Sequence, residues 1–291
     1  MVNSDMDTRF GFYGVRESST ATSETDKGVE EIRITGFTVV PGVLSKPELE
    51  IIRGKLDEIY KIQVTEIGGE DRLDEMKDSN IVRLLLAYDD YFLGVATNPA
   101  VLAIVERLLG DYYILVQQNG ILILPRLENY QISWHRDLSY QHFVSTRPLA
   151  ISALFCIDDF SEESGGTYVL PASHKVEAFP SQEFLKRNQR GITARAGSVL
   201  VFDSMLFHRA GYNRATFTRR ALNHVYALPF LKQQISIPEA LQGKFRDEGF
   251  LSKFLGYESE PGKNVKQWRA SKIDRRPASL KAGGNASVKL K

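Results

Sequence analysis

Two side chains that bind transition metals stand two positions apart near the middle of the chain. His135 and Asp137 are separated by a single residue. On an extended strand, residues two apart project from the same face, so an imidazole nitrogen and a carboxylate oxygen could bind one ion. The third ligand must come from elsewhere, and the candidate is His208, which follows the mostly apolar segment 199–207. Two histidines and one carboxylate on one face of an octahedral ion leave positions open for further ligands.

The His-x-Asp pair alone is a weak signal, because it often occurs by chance. An arginine, Arg219, follows His208 by eleven residues, and the segment 211–216 between them is rich in turn residues. His208 and Arg219 could therefore lie on neighbouring antiparallel strands. A planar guanidinium is suited to bind a carboxylate bidentately. We therefore expect Arg219 to bind the far carboxylate of 2-oxoglutarate while the keto-acid end of that molecule chelates the metal. The alternative is that Arg219, next to Arg220, is a solvated surface charge.

The remaining histidines and the single cysteine allow other interpretations. His174 is a rival third ligand, although a loop histidine of this kind is more often a structural hydrogen-bonding group. His142 follows the His-x-Asp segment and is predicted to line the substrate mouth, or else to be exposed. His224 lies at an odd offset from Arg219, which favours a packing role on the opposite strand face. Cys156 stands in an apolar run and is predicted to be buried rather than nucleophilic.

Several motifs occur in a fixed order between about residues 114 and 228. They are Trp134-His135-x-Asp137, Glu163-x-Gly165-Gly166-Thr167, Leu170-Pro171-Ala172-Ser173-His174-Lys175, Gly197-Ser198, His208-x-x-Gly211-x-Asn213 and Arg219-Arg220-Ala221. In these motifs, and in the opening segment 36–40 with the helix after it, the chain resembles the phytanoyl-CoA dioxygenase family.

The resemblance implies a mainly β fold with flanking helices, built on a double-stranded β-helix core of the jelly-roll, cupin-like type. It implies Fe(II), held by His135, Asp137 and His208, with 2-oxoglutarate and O2 as cosubstrates and ascorbate as a supporting reductant. The implied chemistry is oxidative decarboxylation of 2-oxoglutarate to succinate and carbon dioxide. Related halogenases carry Ala or Gly in place of Asp137, so halogenation is disfavoured.

The resemblance also suggests further site residues. Arg83 is the candidate for a basic residue that contacts the cosubstrate in some relatives. Phe155 falls where relatives place an aromatic side chain beside the cosubstrate, with plain core packing as the alternative. Gln118 lies on an early strand where relatives contact substrate. Relatives often carry Ser two residues after the distal histidine; Ala210 stands there, so Arg219 would need another partner.

The secondary structure that must position these residues changes character along the chain. Segment 34–40 reads as a first strand, and Ser45 and Glu48 form a capping-box pattern that starts a helix. A second helix is predicted from Pro99 to Gly110, and a third helical stretch from about 238 to 255. Between the second and third, short apolar runs with Gly and Pro between them indicate a barrel or sandwich; these runs are 113–124, 151–157, 167–170, 198–202 and 221–228.

Length and charge set the domain organisation. The 291 residues suit a single oxygenase domain at 29–257, preceded by a flexible arm at 1–28 and followed by a basic, disordered tail at 258–291. The tail carries nine Lys or Arg against three Asp or Glu, although the whole chain has a net charge of only +1. Such near-neutrality argues against nucleic-acid binding. Trp268 is the one feature that favours docking of the tail on a partner or on the body of the protein.

The first residues lack a basic segment followed by an apolar one, and no apolar stretch approaches the ~20 residues of a membrane span. A cytoplasmic protein is therefore expected. The leading hypothesis is an oxygenase that hydroxylates a small organic molecule. Alternatives are desaturation, epoxidation or ring closure with the same cofactors, a non-catalytic cupin-like binding protein, or a metal-dependent isomerase or hydrolase. The substrate and the oligomeric state are not predicted by these patterns.

Overall fold

A computed structural model describes residues 20–127, 130–138 and 143–274. The helices are α1 Glu24–Thr35, α2 Lys46–Ile67, α3 Glu70–Glu75, α4 Tyr91–Ala96, α5 Pro99–Leu109, α6 Gln182–Asn188, α7 Ile237–Ala240, α8 Phe250–Phe254 and α9 Val265–Asp274. The strands are β1 Phe37–Val40, β2 Ile81–Arg83, β3 Ile114–Ile123, β4 Ala150–Cys156, β5 Tyr168–Val169, β6 Arg190–Gly191, β7 Val199–Asp203, β8 His208–Arg209 and β9 Arg219–Ala227. Short 3-10 turns occur at Leu85–Ala87, Tyr130–Ile132 and Ser173–Lys175. In the described part of the chain, no helix combines the length and apolar character needed to cross a membrane.

Two antiparallel sheets form the core. The large sheet has the strand order β1-β7-β4-β9-β3-β2, and the small sheet has the order β6-β5-β8. Leu154 and Phe202 of the large sheet share one apolar cluster with Val169 of the small sheet, so the two sheets pack face to face. The expected jelly-roll core with flanking helices is confirmed.

The large sheet is buried on both faces. Because side chains alternate along a strand, Ala153 and Phe155 of β4 face the helices, and Leu154 faces the small sheet. The helix-facing side belongs to the main core, which includes Ile52 of α2 and Ile104 of α5. Each such fully buried side chain contributes about 1.5–3 kcal/mol. The helices therefore close one side of the sheet and leave the other side to form the site.

Helix α2 begins as the sequence predicts. Ser45 and Glu48 form the capping box, and the stripe that faces the sheet is Leu49, Ile52, Leu56 and Ile59. Ionic contacts also tie α2 to the sheet: Asp57 accepts hydrogen bonds of 3.0 and 2.8 Å from the Arg220 guanidinium, and Arg53 donates one of 2.7 Å to Asp158. Arg220 thus belongs to the interface between α2 and β9.

Some predicted boundaries differ from the structure. The expected arm reaches residue 28, but α1 already begins at Glu24, because Ser23 and Asp26 form a capping box and Val29 and Ile32 are buried. Helix α1 also takes the start of the predicted strand 34–40, so β1 begins only at Phe37. The predicted helix 238–255 is two short helices, α7 and α8, because turns separate them.

The tail also differs from the expectation of disorder where it is described. Residues 265–274 form α9, and Asn264 accepts a hydrogen bond of 2.9 Å from the backbone N–H of Gln267 at its start. Trp268 is 53% exposed, and the Lys272 ammonium lies 4.6 Å from the centre of its ring. The helix is therefore held by local contacts, and no docking of Trp268 on the body is seen among the described residues.

We propose that the catalytic unit ends near residue 257. A chain truncated after Tyr257 is expected to keep its melting temperature within a few degrees and to turn over 2-oxoglutarate normally, because residues 261–270 are exposed throughout. Thermal unfolding and succinate release measure this. As a control, a chain truncated after Glu248 should fail to fold, because it lacks Phe254 and Leu255, which are fully buried. If the chain truncated after Tyr257 lost turnover but still bound iron, the proposed boundary would be wrong.

Candidate metal centre and cosubstrate cavity

The structure brings His135, Asp137 and His208 together from two distant parts of the chain. His135 and His208 exchange both backbone hydrogen bonds, of 2.9 and 3.0 Å, and the N–H of Asp137 donates to the carbonyl of Ser204 at 3.0 Å. These bonds fix the segment 135–137 against the start of β8 and the turn before it. One donor atom from each of the three side chains lies within 4.8 Å of the others. Two imidazoles and one carboxylate at this spacing form a donor set that fits iron.

Backbone carbonyls orient both imidazole rings. His135 Nδ1 lies 2.8 Å from the carbonyl oxygen of Ser133, and His208 Nδ1 lies 3.0 Å from that of Leu206. A carbonyl oxygen can only accept, so each Nδ1 carries the proton. Nε2 is therefore the metal-binding atom of both rings; in His208 this atom lies 3.4 Å from Asp137 Oδ1 and gives up any proton it shares with that carboxylate when a metal binds.

The two carboxylate oxygens of Asp137 have different surroundings. Oδ2 accepts hydrogen bonds from Ser152 Oγ at 2.5 Å and from Asn223 Nδ2 at 3.0 Å. Oδ1 lies 3.4 Å from His208 Nε2, on the side of the histidines. Ser152 Oγ is also 2.8 Å from Ser204 Oγ, and because its proton goes to Asp137, the Ser204 hydroxyl must donate to it. One oxygen is therefore tied to the protein and the other is presented to a metal.

The protonation states agree with this geometry. Burial alone would raise the pKa of Asp137, but the charge of His208 and its hydrogen bond, together with the Ser152 hydroxyl, hold that pKa well below its usual value. Burial and the neighbouring His208 lower the pKa of His135 to about 4. His135 is thus neutral and Asp137 ionised near neutral pH, as metal binding requires. Burial alone would lower the pKa of His208, but the charge and hydrogen bond of Asp137 raise it, so a metal ion must displace the proton of this ring.

Arg136, between the two candidate ligands, points to the opposite side of the loop and is 2% exposed. It donates hydrogen bonds to the carbonyls of Met205 at 2.7 Å and Ser173 at 3.0 Å, and also to that of Val176. Its guanidinium carbon lies 3.8 Å from the centre of the Phe207 ring. Arg136 therefore ties the His-x-Asp loop to the segment that ends at His208, which fixes the relative position of the ligands.

Arg219 is buried beside the three metal-binding residues, and no carboxylate of the described residues forms an ion pair with it. It is 1% exposed, its Nη2 donates to the carbonyl of Gly165 at 2.9 Å, and its guanidinium stacks 4.4 Å from the centre of the Phe160 ring. Burial lowers the pKa of Arg219 to about 10, which still leaves it charged near neutral pH. Its Nε has no hydrogen-bond partner within the described residues. A buried, incompletely paired cation is costly, so this position fits the carboxylate of a bound anion such as 2-oxoglutarate.

One narrow cavity connects Arg219 with the metal-binding residues. It is lined by His135, Asp137, His208 and Arg219 together with Ile121, Gln131, Leu154, Thr167, Phe202, Arg209, Ala210 and Asn223. Ala210 offers no hydroxyl to this cavity, and Thr167 is a further residue of its lining. The Oδ1 atom of Asn223 is buried and unpaired among the described residues, so it can accept a hydrogen bond from a bound group.

Two predicted site residues lie on the wrong side of the large sheet. Gln118 faces the helices, where it accepts from the N–H of Leu86 at 2.7 Å and donates to the carbonyl of Phe92 at 3.0 Å. Phe155 also faces the helices and packs in the main core, as the alternative interpretation held. The predicted placement of Gln118 at the substrate, and of Phe155 beside the cosubstrate, is therefore corrected.

Arg83 lies away from the metal-binding residues. It is paired opposite Asn119 on β3, and its guanidinium binds the Asp78 carboxylate. It does not line the cavity that contains Arg219. The expected contact with the cosubstrate is therefore not seen.

The other histidines have distinct places. His174 is buried in a 3-10 turn and does not join the three-residue metal-binding group. His224 is fully buried on the helix-facing side of β9, 3.0 Å from the Gln118 amide nitrogen, and burial lowers its pKa to about 3. Cys156 is buried, as predicted. His142 lies outside the described residues.

Ser152, Ser204 and Asn223 were not singled out from the sequence. Asn223 could have been found, because it lies four residues after Arg219 on one strand and therefore on the same face. Ser152 and Ser204 are adjacent only through the pairing of β4 with β7 and the turn after β7. No local pattern in the sequence carries that information.

The hydrogen bonds to Asp137 Oδ2 lead to a testable prediction. Ser152→Ala and Asn223→Ala are each expected to weaken Fe(II) binding by roughly 10- to 100-fold, because groups that orient a metal ligand have effects of this size. Asn188→Ala, an exposed asparagine on α6, is the control and should not change the affinity. Fe(II) titration monitored by calorimetry, alongside melting temperatures, separates an effect on the site from unfolding. Unchanged affinity in both variants would show that these bonds do not orient Asp137.

Comparison with known proteins points to one family. The family model described as phytanoyl-CoA dioxygenase matches residues 32–221. An uncharacterized protein of Mycobacterium tuberculosis is 34% identical over 222 residues, which cover 74% of this chain and 80% of that protein. An ectoine dioxygenase of Stutzerimonas stutzeri is 25% identical over 230 residues, covering 68% of this chain and 75% of that enzyme.

The fold has relatives among solved structures. The iron-bound structure of HygX from Streptomyces hygroscopicus aligns with a TM-score of 0.56 at 19% identity. The alignment covers 73% of this chain and 90% of HygX. At this identity, the likeness concerns the fold.

Proposed function

Because the chain belongs to the phytanoyl-CoA dioxygenase family and is a non-haem Fe(II)- and 2-oxoglutarate-dependent dioxygenase, we propose that it hydroxylates a small organic molecule bound beside Asp137. In this reaction 2-oxoglutarate is oxidatively decarboxylated to succinate and carbon dioxide. The observation that supports the proposal is the buried guanidinium of Arg219, which has no carboxylate partner among the described residues and lies in the same cavity as His135, Asp137 and His208.

Each of these residues has a separate task. His135, Asp137 and His208 would hold the iron through Nε2, Oδ1 and Nε2, because their other polar atoms are bonded to the protein. When bound, the iron supplies the activation of O2. Arg219 would bind the far carboxylate of 2-oxoglutarate, with Phe160 against its guanidinium. Fixed charges and donors of this kind act strongly in a site that excludes water.

A larger cavity reaches Asp137 from another side and would hold the substrate. Its volume is about 660 Å3, within the usual range for small-molecule sites. Most of its walls are apolar: Val116, Leu138, Phe143, Leu149, Met205, Val225, Phe230 and Leu231. The amide side chains of Gln117, Gln233 and Gln234 and the ammonium of Lys232 supply the polar groups, besides Arg136 and Asp137. This lining supports a mainly apolar substrate with a few hydrogen-bonding groups.

The proposal is tested by product analysis. Purified protein with Fe(II), 2-oxoglutarate, ascorbate and a metabolite panel should release succinate, and the true substrate should increase that release. With 18O2, one labelled oxygen should enter succinate and one the hydroxylated product. A product without labelled oxygen would instead indicate desaturation or ring closure. Succinate release no higher than that of His208→Ala would contradict an active oxygenase and favour a binding protein.

The rim of the larger cavity gives a further prediction. Phe143 and Phe230 are 44% and 69% exposed, so their truncation should not disturb the core. Phe143→Ala and Phe230→Ala are each expected to raise the KM for the prime substrate about three- to tenfold, because part of an aromatic contact is lost. The KM for 2-oxoglutarate should stay unchanged. Phe184→Ala, an exposed residue on α6 outside this lining, is the control, and an equal effect from it would exclude this cavity as the substrate site.

A further inference from the structure

A second large cavity lies apart from the candidate active site. It has a volume of about 650 Å3 and is formed by the ends of α1 and α5, the segment 146–148 before β4 and the 3-10 turn Ser173–Lys175. None of His135, Asp137, His208 and Arg219 lines it. We propose that this cavity binds a small organic anion, a phosphate or carboxylate attached to an apolar group.

The charges of the lining favour an anion. Four basic side chains, Arg33, Arg107, Arg147 and Lys175, face two acidic ones, Glu106 and Asp203. Arg107 is partly engaged with Asp26, 3.6 Å away.

The side chains of the two other arginines at the cavity are not engaged by any residue that the structure describes. The side chains of Arg33 and Arg147 form no hydrogen bond or ion pair with another described residue. Guanidinium groups bind phosphate and carboxylate through paired N–H donors. Two uncommitted guanidinium groups at one cavity therefore provide the recognition chemistry for such a head group.

A buried imidazole provides independent support. His174 lines the cavity and is 2% exposed, yet neither ring nitrogen has a hydrogen-bond partner of normal geometry among the described residues. The Arg33 carbonyl lies close enough to the ring to raise its pKa, but it is not in normal hydrogen-bonding geometry. Burial, with smaller contributions from Lys175 and Arg136, lowers the pKa of His174 to about 4, so the ring is neutral and carries one N–H. A buried polar group left without a partner is unfavourable, and a bound anion would accept from this N–H.

The remaining walls indicate what the anion is attached to. Ile32, Leu108, Leu109, Pro148 and Leu228 add an apolar surface to the same cavity. A simple inorganic ion would leave this surface uncovered, and the volume lies within the range of small-molecule sites. The lining is therefore suited to a ligand with an anionic head and an apolar body.

The test is calorimetric titration of the full-length protein loaded with Mn(II) and 2-oxoglutarate, so that Arg219 is already occupied. The probes are phenyl phosphate, benzoate and neutral phenol, which share one apolar ring. We expect saturable binding of at least one of the two anions, and the comparison between them tells a phosphate from a carboxylate site. Arg33→Ala and Arg147→Ala should each weaken that binding about tenfold, as expected for loss of one charge-assisted contact.

Two further variants make the outcome decisive. Arg187→Ala removes an exposed arginine that pairs with Glu183 on α6, outside this cavity, and should leave the affinity unchanged. His174→Phe should weaken binding, whereas His174→Gln, which keeps a donor, should bind more tightly than His174→Phe. Failure of both anions to bind, equal binding of phenol, or binding insensitive to Arg33→Ala and Arg147→Ala would each overturn the proposal.

Discussion

Asp137→Ala, His135→Ala and His208→Ala are each expected to abolish 2-oxoglutarate turnover and to weaken Fe(II) binding by more than about 100-fold. The three donor atoms lie within 4.8 Å of one another, and no fourth His, Cys, Asp or Glu joins this group among the described residues. Loss of one donor leaves only two, which cannot hold the ion on one face. Succinate release and Fe(II) titration measure the two effects.

The controls for these variants must distinguish an effect on metal binding from an effect on folding. Asp247→Ala removes an exposed carboxylate and should leave both turnover and iron affinity unchanged. Asp137→Ala should remain folded, because Asp137 and Asn223 line a cavity rather than closely packed core, and Ser152 keeps its hydrogen bond with Ser204. If any one of the three variants kept most of its turnover, that residue would not be a ligand.

Arg219→Ala is expected to raise the KM for 2-oxoglutarate at least about 30-fold, with a much smaller change in the KM for the prime substrate. The magnitude follows from the roughly 2–5 kcal/mol lost when one member of a buried, hydrogen-bonded charge pair is removed. Arg219→Lys should lie between the wild type and Arg219→Ala, because an ammonium keeps the charge but loses the bidentate geometry. Steady-state kinetics with varied 2-oxoglutarate measure the effect.

Arg220→Ala is the matched control for Arg219. Arg220 points to the helix-facing side, where it binds Asp57 of α2 and lies 3.4 Å from Asp158. Its loss should lower the melting temperature and leave the KM for 2-oxoglutarate unchanged. Equal effects of the two variants on that KM would show that Arg219 does not bind the cosubstrate.

Local periodicity anticipated much of this arrangement. The two-residue spacing of His135 and Asp137 predicted donors on one side of an extended segment, and the structure places them so. The same alternation along β9 put Arg219 and Arg220 on opposite faces. The capping box at Ser45 and Glu48 marked the start of α2 correctly. These features depend on neighbours in the sequence, so they can be read without knowledge of the tertiary structure.

The errors for Gln118 and Phe155 have a physical reason. Strands β3 and β4 have buried side chains on both faces. Helices pack against one face, and the other face contains the cavity, so the apolar pattern does not show which face lines the cavity. Alternation fixes only which residues share a face, and the choice of face depends on pairing with β9. The capping box at Ser23 and Asp26 was a readable signal for α1 that polar composition obscured.

Anaerobic absorption spectroscopy of the purified protein with Fe(II) and 2-oxoglutarate tests whether this site holds both together. Chelation of Fe(II) by a 2-oxo acid gives a visible charge-transfer band that neither component shows alone. This band should appear at one iron per chain, be absent in His208→Ala, and require a much higher 2-oxoglutarate concentration in Arg219→Ala. Wild-type protein that binds Fe(II) but gives no such band with saturating 2-oxoglutarate would contradict the assignment of this site.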